Sequence, residues 1–198
     1  SSERREKARA NAVKFPLSEH DTRMIIDKQL REVGWEADTD NLRQSKGVKS
    51  EKGRNIAIAE WKTNSSIGKN GYVDYALFVG EVMVGIIEAK KSAVDISAVI
   101  DGQCKDYAKQ IKPEDAAKYC LRRFGVYYVP FLYATNGRPY LKQLETKSGI
   151  WELDVRDGSA PKALSGWKSP EGLMEELQKD VEKATEELKK ADYSLLTE

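Results

Sequence analysis

The chain has 198 residues, 40% of them hydrophobic and 33% charged, with a net charge of +1. This is enough for one substantial domain with its own core, and the near-neutral balance gives no overall footprint for nucleic acid, so that any such surface must be a local patch. No apolar run approaches the roughly 18 residues of a membrane span, no signal peptide is visible, and one histidine, His20, argues against His-rich zinc sites and Ser-His-Asp chemistry.

Residues 1–16 are charged and read as a leader. Ser18 is a good helix N-cap, with Asp21 at the third position after it. The helix should run to about Val33, with Ile25, Ile26, Leu30 and Val33 on one face. Gly34 ends it, and Trp35 can pack back. Glu19 and Arg23 lie one turn apart. They read either as an exposed pair or as a helix-borne acid facing a functional site. Asp38 to Gly53 is a polar loop carrying Arg43, Lys46, Lys49 and Lys52. Asn55 to Trp61, NIAIAEW, reads as a first strand. Glu60, near its end, is either an edge residue or another acid at the site. Lys62 to Asn70 is a loop of Asn, Ser and Gly.

Gly71 to Lys90, GYVDYALFVGEVMVGIIEAK, reads as two strands joined by a tight turn. Most of it is apolar, so the hairpin should be central and well covered. Asp74, Glu88 and Lys90 interrupt it, and buried charges are costly unless paired or metal-bound. Glu88 and Lys90 are two apart and share a strand face. A two-residue Gly80-Glu81 turn would put Asp74 opposite Ile87. A three-residue loop, or a bulge of the same effect, puts Asp74 opposite Glu88 with Cβ atoms roughly 5 Å apart. Two carboxylates that close can share a hard cation such as Mg²⁺. Lys90, about 7 Å along the strand, could stabilise charge on a phosphate or orient a water. The plainer reading is an Asp74–Lys90 ion pair with Glu88 in solvent.

A helix is expected from Asp95 or Ile96 to Ile111. Gln103 and Tyr107 lie four apart on its apolar side, either as core-margin residues or aimed at a site. Pro113 should open another helix to about Arg123, stopped by Gly125. Val126 to Thr135 reads as a strand, with Pro130 suggesting an edge or bulge. Pro139 to Leu144 and Ile150 to Val155 read as a hairpin. Asp157 to Ser169 is a loop. Glu171 to Lys190 is an amphipathic helix with Leu173, Leu177, Val181, Ala184 and Leu188 as its stripe. Cys104 and Cys120 lack CxxC spacing and read as reduced thiols. There are no internal repeats, and neither a phosphate-cradling GxxxxGKS loop nor a GxGxxG is present. The order of elements predicts an α/β fold, a central mixed sheet flanked by helices.

LSEHDTR, NIAIAEW, GYVDYALFVGEVMVGIIEAKK, GQCKDYA and FLYATNGRPY together resemble one family. This is the N-terminal nuclease domain of the restriction (motor) subunit of type I restriction-modification enzymes, in the PD-(D/E)xK nuclease superfamily. The resemblance covers roughly Leu17 to Tyr140. D…EAK followed by QxxxY on the next helix is its most specific part. Val73 stands where the family has a proline. The resemblance implies a restriction-endonuclease-like core over residues 17–157, followed by a loop and helix over 158–198 leading toward a motor. It implies that Asp74, Glu88 and the Ala89 carbonyl bind Mg²⁺, with Mn²⁺ as a substitute. Lys90 would be the catalytic lysine alongside the two acids. Gln103 and Tyr107 would position DNA or the site, and Glu19 and Glu60 would be accessory acids. It further implies double-stranded DNA as substrate, methyltransferase and specificity subunits as partners, and ATP used only by motor domains outside this chain. No membrane association is expected, and a prokaryotic cytoplasm is the implied location. Two other readings stay open: a stand-alone repair or junction-resolving nuclease of the same fold, and a silent DNA-binding or assembly module.

Overall fold

The computed structural model describes residues 17–68 and 70–195, with side chains described through residue 190. The expected leader, residues 1–16, lies outside the described residues. The elements are α1 (Glu19–Glu32), β1 (Glu36–Ala37), β2 (Asn55–Lys62), β3 (Tyr72–Val79) and β4 (Val82–Ala89). A π-helical turn (Ile100–Cys104) then runs into α2 (Lys105–Lys109), followed by α3 (Pro113–Tyr119) and β5 (Phe131–Thr135). β6 (Ile150–Asp154), β7 (Lys162–Ala163) and α4 (Pro170–Leu195) complete the order.

Among the described residues the strands form one seven-stranded mixed sheet in chain order. β1 and β2 are parallel, as are β4 and β5, and the remaining neighbours are antiparallel. This is the expected α/β fold. Alternate strand residues supply two cores. Ile58, Ala76, Phe78 and Ile86 face Ile100, Cys104, Tyr107 and Ile111 on one side. Tyr75, Leu77, Val84 and Ile87 share the other side with Ile26 and Leu30 of α1 and Leu173 and Leu177 of α4.

The first helix starts as its sequence demands. Ser18 Oγ accepts from the Asp21 backbone N–H at 3.0 Å, and the Asp21 carboxylate accepts from the Ser18 N–H at 3.1 Å. At the other end Gly34 takes a left-handed φ of 105°, and Trp35 packs back with its amide bonded to the Leu30 carbonyl.

Several expected elements are shorter. The helix after Lys90 begins only near Val99 and opens with the π turn; Gly102 within it weakens the α-helical preference. The Pro113 helix stops at Tyr119, where Cys120 turns extended and Arg122 and Arg123 go on to cover the rings of Phe124 and Tyr128. β5 starts after Pro130, which has no N–H for the ladder. The strand is not an edge, being paired on both sides. Pro139 to Leu144 forms no strand; Leu141 instead donates its N–H to Ser148 Oγ at 2.9 Å, and β6 pairs with β5. The expected Asp157–Ser169 loop contains the short β7. Both cysteines are free thiols.

A candidate active site at the bulged hairpin

The β3–β4 turn has two residues, Gly80-Glu81, with Val79 opposite Val82 and Phe78 opposite Met83. The expected three-residue loop does not form. A bulge does the same work: the register shifts between Leu77 and Phe78, with Val84 as the extra residue, so that Leu77 faces Gly85 and Tyr75 faces Ile87. One further step places Asp74 across from Glu88. The Asp74 side chain is tied to the same strand, where the Ala89 N–H donates to Asp74 Oδ2 at 2.7 Å. Gly85 lets β5 come close, since a Cβ there would lie 2.6 Å from the Phe131 carbonyl oxygen.

Asp74 is 3% and Glu88 4% exposed. Two buried carboxylates need compensation. Lys90 Nζ donates to Glu88 Oε1 at 2.8 Å, and its backbone N–H bonds the Thr135 carbonyl at 2.8 Å. Asp74 takes its cation from elsewhere: Arg23 Nη2 donates to Asp74 Oδ1. The plainer alternative, an Asp74–Lys90 pair with a solvated Glu88, is therefore not what forms.

Gln103 in the π turn and Tyr107 in α2 converge beneath the loop that precedes β3. Gly68 in that loop has φ +67°; a side chain there would run into the Tyr107 hydroxyl and bring a Cβ within 2.9 Å of Gln103 Nε2. Tyr107 is fully buried, and its hydroxyl has no hydrogen-bond partner among the described residues. Burial, then the charges of Glu88 and Asp74, push its pKa above the ordinary tyrosine value. At neutral pH it is a proton-bearing donor, not a base. Cys104, one turn before it, is buried, and burial holds its thiol protonated.

Glu60 and Glu19 sit differently. Glu60 interrupts β2 with a φ of +53°, accepts from Arg23 Nη1 at 3.0 Å and also pairs with Arg43. Burial would raise its pKa, but Arg43 and Arg23 together hold it below the ordinary carboxylate value. Glu19 lies 3.9 Å from Arg23. Both acids line a cavity of about 230 Å³ together with His20, Thr39, Asp40 and Arg43, in which Asp74 and Glu88 take no part.

Sequence reasoning missed the contacts of Arg23 with Asp74 and Glu60, pairing it only with Glu19. A signal was present. Arg23, Ile26, Asp27 and Leu30 recur at helical spacing, and all are buried. An arginine inside an apolar stripe has to meet an acid below it.

Among the described residues no group of three His, Cys, Asp or Glu side chains gathers as a metal cage. The site offers two carboxylates, an all-oxygen set of the kind hard divalent cations take. Each carboxylate oxygen has two lone-pair sites. Arg23 and the Ala89 N–H use one on each oxygen of Asp74, so the donor set still fits a cation.

Comparison with known proteins accords with this architecture. Residues 36–177 match the family model of the type I restriction enzyme EcoKI endonuclease subunit second domain. The type I restriction enzyme EcoKI endonuclease subunit of Escherichia coli (strain K12) is 39% identical over an alignment of 193 positions, covering 84% of this chain and 16% of that protein. The chain thus spans about a sixth of the length of that relative. A structure of a fragment assigned to an HsdR subunit of a type I restriction enzyme from Vibrio vulnificus YJ016 shares the fold, with a TM-score of 0.50 and 23% identity over 84% of this chain and 26% of that one. The match over residues 36–177 takes in β1 to β7 and the first two turns of α4, the sheet that carries the acid pair, and on it this chain belongs to the family of the type I restriction enzyme EcoKI endonuclease subunit second domain.

Proposed function

We propose that this chain is the metal-dependent endonuclease domain of a type I restriction enzyme's endonuclease subunit, hydrolysing DNA phosphodiester bonds. The observation that carries this reading is the bulge in the β3–β4 hairpin, which brings two buried acids face to face with a lysine one pleat further on. A purely structural hairpin gains nothing from burying those two acids.

Asp74, Glu88 and the Ala89 carbonyl would hold Mg²⁺, for which Mn²⁺ can substitute. When bound, the ion lowers the pKa of a water and offsets charge on the scissile phosphate. Lys90 supplies a positive charge beside that phosphate, and its bond to Glu88 fixes its aim. Gln103 and Tyr107 supply neutral donors that orient the substrate or the acids. The substrate is double-stranded DNA. Methyltransferase and specificity subunits are the partners, and ATP-driven translocation belongs to motor domains outside this chain. The site of action is a prokaryotic cytoplasm; among the described residues no helix is long and apolar enough to cross a membrane.

The test is Lys90→Ala in the full-length subunit assembled with its partners. Cleavage should fall at least ~100-fold, in the range of losing a positioned charge at a transition state, while ATP-driven translocation continues at the parent rate. Cutting at the parent rate would sink the nuclease assignment of this site.

A further inference from the structure

The metal-site reading leaves the buried charge of Arg23 unused. Arg23 is 7% exposed, on the core-facing stripe of α1. Its two terminal nitrogens reach separate strands: Nη1 donates to Glu60 Oε1 of β2 at 3.0 Å, and Nη2 donates to Asp74 Oδ1 of β3. Glu60 in turn is held by Arg43 on its other oxygen, at a backbone φ of +53° that non-glycine residues seldom adopt. Asp74 Oδ2 is held by the Ala89 N–H. Both oxygens of Asp74 are thus fixed by donors, one from the β4 backbone and one from α1.

We infer that Arg23, itself anchored by Glu60, is a positioning residue that sets the carboxylate plane of Asp74 for the metal. This rests on the metal-site reading above. It reassigns Glu60 from an accessory acid at the metal to the anchor of the arginine, and it makes α1 part of the active site. The guanidinium fork suits this, because its planar donors reach two acids at fixed angles, whereas the three donors of an ammonium rotate and fix no plane. A fixed positive charge beside Asp74 opposes a second cation. The inference requires that the gain in orientation outweighs that repulsion. Outer partners of metal-binding carboxylates characteristically act in this direction.

The experiment titrates this chain with Mn²⁺ by calorimetry in the presence of a short duplex. Variants are Arg23→Met, Arg23→Lys and, as a control on the site itself, Asp74→Asn. Circular dichroism and melting confirm that each is folded. Arg23→Met should weaken Mn²⁺ binding by roughly 10–100-fold. Arg23→Lys should recover the melting temperature but only part of the affinity. That split is one a merely structural role would not give. If Arg23→Met fails to fold, Arg23→Lys alone decides. Unchanged or tighter Mn²⁺ binding by folded Arg23 variants, with binding lost in Asp74→Asn, overturns the positioning role and leaves the metal site standing. Parent-like binding by Asp74→Asn, or no binding by the parent, removes the metal site and the positioning role together.

Discussion

Tyr107 is a buried phenol with no hydrogen-bond partner among the described residues. Leaving a buried hydroxyl unsatisfied costs about 1–3 kcal/mol. A residue kept only for packing would be better as phenylalanine. Tyr107→Phe should therefore melt at or above the parent temperature while DNA cutting by the assembled enzyme falls. A drop in melting temperature with cutting unchanged would make the hydroxyl structural. The sequence carried the Asp74, Glu88 and Lys90 triad because strand parity is a strict rule: Glu88 and Lys90 share a face, and only an odd offset brings Asp74 to them. It carried Arg23 less well. Helical spacing offers it Glu19, one turn away, whereas the structure gives Arg23 its closest contacts with Glu60 and Asp74, far off in sequence. Propensity and local pairing cannot see partners that only the sheet brings near.

The elements that were legible are those whose ends carry local chemistry. α1 has a capping box and a left-handed glycine, and both set its limits where expected. The hairpin's parity was legible, but not the place where the extra residue goes. The turn kept two residues, and the bulge moved to Val84, against Leu77 and beside Gly85, where β5 approaches. Periodicity failed after Lys90, where hydrophobic spacing continued through residues that form turns before the π turn begins. α1 docks through a second buried charge. Asp27 is fully buried and accepts from the Thr39 N–H at 2.7 Å and the Tyr75 hydroxyl at 2.8 Å. Burial still wins over those bonds and raises its pKa above the ordinary 3.8. The folded state therefore binds this proton more tightly than the unfolded chain does. Stability from it is fully present below the unfolded pKa and is lost as pH rises through the raised folded value. Asp27→Asn keeps the shape and has no proton to lose. Across that window the variant should gain stability relative to the parent as pH rises, read from melting temperatures at a series of pH values. A variant that falls further behind with rising pH would show that the ionised carboxylate is favoured in the fold.

At the scale of the whole molecule, the sheet is covered by helices on both faces, and the last helix is the least committed of them. Its stripe of Leu173, Leu177, Val181, Ala184 and Leu188 looks continuous in the sequence. The structure divides it. Leu173 and Leu177 are buried in the core shared by α1 and the sheet, while Val181 and Leu188 are 55% and 68% exposed. Among the described residues, the division falls where ion pairs stop tying the helix down. Glu176 meets Lys168 and Arg156, and Asp180 meets Arg122. Lys168 also reaches the buried Glu152 of β6 at 2.8 Å. The first turns of α4 are thus part of the domain that holds the acid pair. Leu173→Ala or Leu177→Ala should each cost about 2–5 kcal/mol, because each leaves a cavity under the helix. Val181→Ser and Leu188→Ser should change stability by no more than about 0.5 kcal/mol, as exposed substitutions do. Denaturant unfolding of the four variants measures both groups. A loss of several kcal/mol on changing Val181 or Leu188 would mean that the second half of α4 is covered in solution, and the division drawn at Asp180 would be wrong.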